Sequence, residues 1–134
     1  MSHIIHVAVG VLIDDKHCVL LARRLKGTHL EGFWEFPGGK VEAEETVKMA
    51  LNRELREELG ITVDRTSPLL TISHDYGEKQ VLLDVHRVEA WLGEPFGAEG
   101  QPIAWVDAQS LGDFQVPAAN AEIMARVTEL LNAG

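Results

Sequence analysis

Hydrophobic residues follow two spacings along this chain, one typical of β-strands and the other typical of helices. Apolar positions alternate or run together from His3 to Ile13 and again in the segment CVLLARRL, and the turn residues DDKH lie between them. We therefore predict that the chain opens with a β-hairpin. A longer strand-rich block follows over residues 61–91, with a turn at residues 75–79, and the segment IAWVD predicts one further short strand.

Helical spacing replaces this pattern in two segments. The first predicts a helix from about Thr46 to Leu59, with Gly60 at its C-terminal cap, and the second predicts a closing helix from about Asn120 to Leu131. Their apolar positions are Val47, Ala50, Leu51, Leu55 and Leu59, and then Ile123, Val127, Leu130 and Leu131. Strands flanked by two helices predict an α/β fold in which a mixed β-sheet is packed between helices.

Composition narrows the class of protein. The 134 residues, of which 46% are hydrophobic and 25% charged, predict a single globular domain over residues 1–134. The chain starts without a basic leader, and its apolar stretch from Val7 to Ile13 is too short to cross a bilayer. We therefore expect a cytoplasmic protein without a membrane partner.

The formal net charge of -9 changes the choice of partner. Binding to nucleic acid depends mainly on Lys and Arg side chains that neutralise phosphates, so we do not expect this acidic chain to bind nucleic acid. A small anionic ligand would also be repelled unless a cation lay between it and the protein. A divalent metal ion would meet that need.

Acidic residues are concentrated in the segment GGKVEAEETVKMALNRELREELGI, which holds six of the chain's 21 Asp and Glu residues. On a helix, Glu54, Glu57 and Glu58 would converge on one patch. One interpretation is a charged face in contact with solvent. The spacing favours another, because Glu54 and Glu58 continue the apolar rows that face the core. The separate row suited to solvent consists of Lys48, Asn52 and Arg56. Carboxylates turned toward an interior need a partner, and hard oxygen ligands are those that Mg²⁺ selects.

Gly38 and Gly39 precede the acidic helix in the sequence PGG. They could form a tight turn and nothing more. Without side chains, however, they also let the backbone approach a ligand closely and aim a carbonyl at a metal ion. Magnesium that is held by carboxylates and bridges substrate phosphates is a recurring arrangement in phosphoryl chemistry.

The same residues resemble the Nudix box, a motif of the form G-x5-E-x7-R-E-U-x-E-E-x-G-U in which U is aliphatic. Its fixed positions are matched by Gly39, Glu45, Arg53, Glu54, Leu55, Glu57, Glu58, Gly60 and Ile61. The resemblance implies a hydrolase of nucleoside diphosphates linked to another group, with an α/β/α sandwich fold. It also implies that the Gly38 carbonyl, Glu54, Glu57 and Glu58 bind Mg²⁺, for which Mn²⁺ can substitute. Glu45 and Arg53 would hold the loop against the helix.

The likeness extends from about Val7 to Leu130 and is closest to the MutT branch of that family, whose members cleave oxidised dGTP. The segments FPGGK, GEPFGAEGQP and PAAN have the order and spacing of this branch. By resemblance, Glu99 joins the metal site and completes the catalytic set of Glu45, Arg53, Glu54, Glu57, Glu58 and Glu99. Substrate contacts are expected from Arg24, Phe36, Gly38, Gly39, Lys40 and Asn120. Gly77 and His86 depart from the Pro and Trp that are usual in this branch.

The resemblance predicts a Mg²⁺-dependent pyrophosphohydrolase, acting as a monomer, that converts 8-oxo-dGTP to 8-oxo-dGMP and pyrophosphate. Other activities of the family, on ADP-ribose or dinucleoside polyphosphates, stay open. So do a nucleotide-sensing module without hydrolysis and a plain acidic domain without a ligand. Single residues also have simpler interpretations: Glu99 as a solvated loop acid, Arg24 as a cation at a strand end, His86 as a structural residue and Asn120 as a helix N-cap.

Overall fold

A computed structural model describes residues 3–133 of the chain. Hydrophobic runs rich in β-branched residues form most of the strands, and the two amphipathic segments form helices. In chain order the strands are β1 (His3–Leu12), β2 (Val19–Arg23), β3 (Trp34–Glu35), β4 (Gly38–Lys40), β5 (Thr62–Asp75), β6 (Lys79–Leu92) and β7 (Ile103–Val106). The helices are α1 (Val47–Leu59) and α2 (Ala121–Ala133), with short 3-10 helices at Leu111–Asp113 and Ala118–Asn120. No helix within residues 3–133 is long and apolar enough to cross a bilayer.

The strands form two sheets. In the four-stranded sheet the order is β4-β1-β6-β5, with β1 parallel to β6 and antiparallel to β4. The long strands β5 and β6 form an antiparallel hairpin around the predicted turn. The three-stranded sheet has the order β3-β2-β7 and is antiparallel throughout. The predicted mixed sheet is therefore confirmed, together with a second, smaller sheet that the sequence did not reveal.

The predicted β-hairpin at the start of the chain is wrong. Its turn forms, because the Asp14 N–H donates to the Cys18 carbonyl at 2.9 Å, but beyond one bridge between Ile13 and Val19 the two strands separate. β2 has only five residues, whereas β6 pairs with β1 along the whole length of β1. β1 is therefore completed by β6 and β4, and β2 is left to pair with β3 and β7.

Each helix covers one side of the strands. β1 contributes alternate residues to the two sides, since Ala8 and Leu12 pack with α1 while Val9 and Val11 pack with α2. The buried helix residues are Ala50, Leu51, Leu55 and Leu59 in α1, and Ile123, Val127 and Leu131 in α2. These predicted core positions are confirmed, whereas Val47 and Leu130 are only half buried. The strands thus lie between two helical layers, as the α/β/α expectation requires.

Both ends of α1 lie where the sequence predicts them. The Thr46 hydroxyl accepts a hydrogen bond from the Met49 N–H at 3.1 Å, and Gly60 ends the helix with a left-handed φ of 69°. The expected solvent row needs one correction. Lys48 and Arg56 are exposed, but Asn52 is half buried because its side-chain oxygen accepts the Val63 N–H at 3.0 Å and so fastens β5 to the helix.

Candidate active site

A cleft of about 400 Å³ lies where β1, β2, β4 and the last turn of α1 meet. Its apolar wall includes the buried side chains of Phe36 and Leu83. The predicted site residues that line it are Arg24, Phe36, Gly38, Gly39, Lys40, Glu58, Glu99 and Asn120. Residues expected to contact substrate and carboxylates expected to bind metal therefore share one cavity. Glu45, Arg53, Glu54 and Glu57 are not in its lining.

Arg53 gathers the acidic segment around its guanidinium group. Its Nε and Nη2 donate to the two carboxylate oxygens of Glu45 at 2.9 and 2.8 Å, and Nη1 donates to Glu54 at 2.7 Å. Nη2 also donates to the Lys40 carbonyl at 2.9 Å. The hydrogen bonds from Arg53 lower the pKa of Glu45 from 4.5 to about 2. The expected pair of Glu45 and Arg53 is present and joins the preceding loop to α1.

Glu58 is in the opposite electrostatic situation at the last turn of α1. Burial raises the pKa of Glu58 from 4.5 to about 9, and the hydrogen bond with Glu54 adds to the effect. The negative charges of Glu54, Glu35 and Glu99 raise it further. Without a cation nearby, these surroundings therefore favour the protonated form of Glu58.

The donor set of this acidic cluster fits a divalent cation. Glu54, Glu58 and Glu99 supply hard oxygen atoms, and their crowding around Glu58 is the repulsion that a cation would relieve. Within residues 3–133, no three His, Cys, Asp or Glu side chains are already arranged to hold a metal ion. Glu54 is bonded to Arg53 and Glu57 is exposed, so an ion would have to draw these side chains together. The ligand set of Gly38, Glu54, Glu57, Glu58 and Glu99 stays a prediction.

Gly38 and Gly39 are required by what packs against them. A Cβ atom on Gly38, whose φ is 154°, would lie 2.0 Å from the Ala8 carbonyl oxygen. A Cβ atom on Gly39 would lie 2.3 Å from the carboxyl carbon of Glu54. The two glycines thus bring β4 close to β1 and leave room for the Glu54 carboxylate, which a tight turn alone would not require.

Arg24 is held by a residue that the sequence analysis missed. Its Nη1 donates to the Glu35 carboxylate at 2.9 Å and its Nε donates to the His29 carbonyl. Glu35 also lines the cleft and contributes to the raised pKa of Glu58. Its place directly before Phe36, in a segment already assigned to the site, was the signal that could have identified it.

A loop of residues 93–102 brings Glu99 to the last turn of α1. The Phe96 N–H donates to the Leu59 carbonyl at 3.1 Å, and the Ala98 N–H donates to the Glu58 carbonyl at 3.0 Å. The Glu99 side chain is exposed at the rim of the cleft. These backbone bonds place Glu99 beside Glu58 although 40 residues separate them in the sequence.

Gln101 is the second residue that the sequence analysis missed. Among residues 4–133 it is the only polar residue that is buried, with 8% of its surface exposed. Its Nε2 donates to the Glu58 carbonyl at 2.7 Å, and its Oε1 accepts the Glu99 N–H at 2.9 Å. A Gln in a loop follows no helical or strand spacing, so its place beside Glu99 in the segment GEPFGAEGQP was the only signal that could have identified it.

Asn120 does not occupy the position of an N-cap. The 3-10 helix Ala118–Asn120 runs directly into α2, so the backbone is already helical at Asn120, whereas an N-cap residue is not helical. The Asn120 N–H donates to the Pro117 carbonyl at 2.9 Å, and the residue is half buried in the lining of the cleft. Its position therefore suits contact with a ligand better than helix capping.

The two departures from the expected branch lie away from the cleft lining. Gly77 has a φ of 85° in the turn between β5 and β6, which Pro could not adopt, and its N–H donates to Asp75 at 2.8 Å. The His86 ring lies 3.2 Å from the Thr66 hydroxyl and 3.5 Å from Asp84. These contacts support the structural interpretation of His86.

Comparison with known proteins identifies relatives over most of the chain. The NUDIX domain family model matches residues 8–126. The chain is 35% identical to the 8-oxo-dGTP diphosphatase of Escherichia coli over 126 residues, which cover 94% of this chain and 98% of that protein. Relatives in Haemophilus influenzae and Proteus vulgaris bear the same name. This chain is also 33% identical to the CTP pyrophosphohydrolase of E. coli over 115 residues, which cover 86% of this chain and 84% of that protein.

A solved structure supports the same assignment of the fold. It comes from a study of MutT from Aliivibrio salmonicida and Vibrio cholerae and has a TM-score of 0.85 against this chain. The two are 35% identical, and the match covers 95% of this chain and 98% of that one. The α/β/α arrangement expected from the sequence is therefore confirmed.

Proposed function

The chain belongs to the NUDIX domain family, and from that premise we propose that it hydrolyses 8-oxo-dGTP to 8-oxo-dGMP and pyrophosphate. The activity would remove an oxidised precursor from the nucleotide pool before replication. The observation that carries the proposal is that Glu58 and Asn120 line the same cleft of about 400 Å³. The residues proposed for the phosphate site and for the base therefore share a cavity of the size that ligands commonly occupy.

Members of this family need a divalent metal ion, and we propose Mg²⁺, for which Mn²⁺ can substitute. The residues that would hold it are Gly38, through its carbonyl, and Glu54, Glu57, Glu58 and Glu99. Bound there, the ion would neutralise phosphate charge and favour ionisation of the attacking water.

The chain's own residues bind the substrate, orient the reacting groups and move a proton. Arg53 fixes the Glu54 carboxylate, and Arg24 and Lys40 supply positive charge at the cleft. Glu54 or Glu99 accepts a proton from the attacking water. The water oxygen then forms a bond to the β-phosphorus, and the bond from that phosphorus to the oxygen bridging the α-phosphate breaks. The bridging oxygen stays with 8-oxo-dGMP, and pyrophosphate leaves.

Asn120 is proposed to read the oxidised base. 8-Oxoguanine has an N7–H donor next to the O6 acceptor, whereas guanine has acceptors at both positions. A carboxamide has one donor and one acceptor edge, so it satisfies the oxidised base and leaves one group opposed on guanine. A buried polar group without a partner costs about 1–3 kcal/mol, or roughly one to two powers of ten in selectivity.

A substrate panel with product identification tests the activity. We expect the highest kcat/KM for 8-oxo-dGTP among 8-oxo-dGTP, dGTP, CTP, dCTP, ADP-ribose and a dinucleoside polyphosphate, with pyrophosphate as the second product. The E. coli CTP pyrophosphohydrolase makes CTP the main competitor. Preference for CTP, or cleavage of ADP-ribose alone, would contradict the proposal. A nucleotide-sensing module would bind without turnover, but no carboxylate of the motif is missing here.

Asn120→Ala and Asn120→Asp test the proposed base contact. The ratio of kcat/KM for 8-oxo-dGTP to that for dGTP should fall by about 10- to 100-fold in both variants. Asn132→Ala, at an exposed position of α2, is the matched control and should keep the ratio. Equal loss on both substrates with a lower melting temperature would show that Asn120 has only a structural role.

We further propose that the protein acts as one domain and as a monomer in the cytoplasm, on free nucleotides and not on nucleic acid. The net charge of -9 supports the last point, because DNA and RNA would be repelled. Light scattering during gel filtration tests the monomer, and a filter-binding titration with DNA at low salt tests the absence of nucleic-acid binding.

A further inference from the structure

The loop of residues 93–102 caps the C-terminal end of α1. A helix leaves its last four carbonyls without intrahelical partners, and here those carbonyls belong to residues 56–59. The Gly60 N–H donates to the Arg56 carbonyl, and the Ala98 and Phe96 N–H groups of the loop donate to the Glu58 and Leu59 carbonyls. The loop is therefore attached to the turn that carries Glu57 and Glu58.

Gln101 adds a side-chain bond to this attachment. Its amide joins the Glu58 carbonyl to the Glu99 N–H, at 2.7 and 2.9 Å. A carbonyl can only accept and an N–H can only donate, so the orientation of the amide is fixed by its two partners. Of the side chains of this length, only a carboxamide offers a donor and an acceptor together. A Met side chain would offer neither group. A Glu side chain would place its negative charge against the Glu58 carbonyl oxygen.

Burial does not hold Glu99 itself. The residue lies in a turn closed by the Gly100 N–H and the Gly97 carbonyl at 3.0 Å, and its side chain is exposed. The turn is tight, since a Cβ atom on Gly97 would lie 1.9 Å from the Gln101 carbonyl oxygen. The position of Glu99 therefore depends on the bonds that tie this turn to α1, and the Gln101 amide supplies the bond to the Glu99 backbone.

We propose that Gln101 is a positioning residue, whose buried amide holds Glu99 beside Glu58 so that both carboxylates can bind the same divalent ion. The inference rests on the proposed function, because it takes Glu58 and Glu99 as ligands of one ion. It assigns Gln101 no contact with substrate. The proposal therefore requires that its effect on turnover pass through Glu99 and not through its other partner, the Glu58 carbonyl.

A double-mutant cycle tests this dependence. The proteins are the unmodified chain, Gln101→Met, Glu99→Gln and the double variant, with Gln115→Met at an exposed position as the matched control. Calorimetry gives the Kd for Mn²⁺, and hydrogen exchange followed by mass spectrometry reports on residues 96–100 without any metal. Turnover of 8-oxo-dGTP gives kcat. Gln101→Glu, which keeps the shape and the acceptor, replaces Gln101→Met if that variant does not fold.

We expect Gln101→Met to raise the Kd for Mn²⁺ and lower kcat by about 10- to 100-fold, the usual effect of losing a group that orients a metal ligand. Exchange in residues 96–100 should accelerate, and in the Glu99→Gln background the Met substitution should change Kd and kcat less than twofold. Equal effects in both backgrounds, or a Mn²⁺ Kd unchanged by Glu99→Gln, would overturn the inference. If the unmodified chain does not cleave 8-oxo-dGTP, the proposed substrate fails, but the Mn²⁺ and exchange results still decide the role of Gln101.

Discussion

Glu45 and Glu58 belong to the same acidic segment and have opposite electrostatic surroundings. In the arginine-bound half, Glu45 and Arg53, hydrogen bonds from the guanidinium lower the pKa of the carboxyl to about 2. In the crowded half, Glu58 and Glu99, burial and neighbouring carboxylates raise the pKa of Glu58 to about 9. The chain thus supplies a cation for the first half. The second half must take a proton or a bound cation to balance its charge.

Removal of the metal should have the largest effect, because the crowded half then has no cation to balance its charge. Excess EDTA is expected to abolish turnover while the far-UV circular dichroism stays unchanged, since α1 is anchored by Leu51, Leu55 and Leu59 in the core. Added Mg²⁺ should restore turnover. Loss of the circular dichroism signal on chelation would show that the ion is needed for folding and would remove the distinction between the two halves.

Loss of one carboxylate near the crowded half should rank next. Glu57→Gln and Glu58→Gln keep the side-chain shape but remove a charged ligand, so we expect kcat to fall by about 10²- to 10³-fold in each. Lys48→Gln, at an exposed position of the same helix, is the control and should keep kcat. Near-normal kcat in both variants would mean that neither carboxylate takes part in turnover.

Arg53→Lys tests whether the crowded half depends on the arginine-bound half. Lys keeps the charge but cannot bridge Glu45, Glu54 and the Lys40 carbonyl at once, because its donors do not form a planar fork. We expect kcat to fall by about 10- to 100-fold and the melting temperature to decrease. Arg56→Lys, on the exposed side of α1, should change neither quantity. An unaltered kcat in Arg53→Lys would make the two halves independent.

The pH dependence of stability should show the smallest effect and the clearest contrast. The pKa of Glu45 is about 2 in the folded protein and 4.5 in the unfolded chain. Its contribution to stability is therefore present above pH 4.5 and is lost as the pH falls toward 2. The contribution of Glu58 to stability has the opposite sign. With a folded pKa of about 9, Glu58 favours the folded state below pH 4.5, and this contribution is lost as the pH rises through 9.

Urea unfolding of metal-free protein between about pH 3 and pH 9 measures both contributions. The free energy of unfolding of the unmodified chain should rise with pH at the acid end of this range. Glu45→Gln should lack this rise. Glu58→Gln should lack the decrease toward alkaline pH. Parallel curves for all three proteins would contradict the assigned surroundings of both residues.

Local spacing in the sequence predicted the parts of the molecule that depend on neighbours along the chain. The capped helix from Thr46 to Gly60 and its buried rows are examples, because helical contacts join residues three and four apart. The resemblance to a known motif added the pair of Glu45 and Arg53, which the structure joins by two hydrogen bonds. Eight of the predicted site residues also line one cleft.

The features that could not be predicted from the sequence depend on contacts between distant segments. The partner of β1 comes from residues 79–92, so alternation near the start of the chain could not exclude a hairpin with β2. Gln101 reaches the site only because its loop caps a helix that ends at Leu59. Glu35 acquires its role from Arg24 and from the charge around Glu58. These contacts leave no periodic pattern in the sequence.

The pairing of β1 with β6 has a consequence for the synthesis of the chain. β1 is synthesised well before its parallel partner β6, so β1 lacks that neighbour until residues 79–92 have been translated. Closing so long a loop is slow because its entropy must be lost before the strands pair. During this interval the apolar segment VAVGVLI is available to other nascent chains. Yield in the cell should therefore depend on chaperones that cover this segment until β6 arrives.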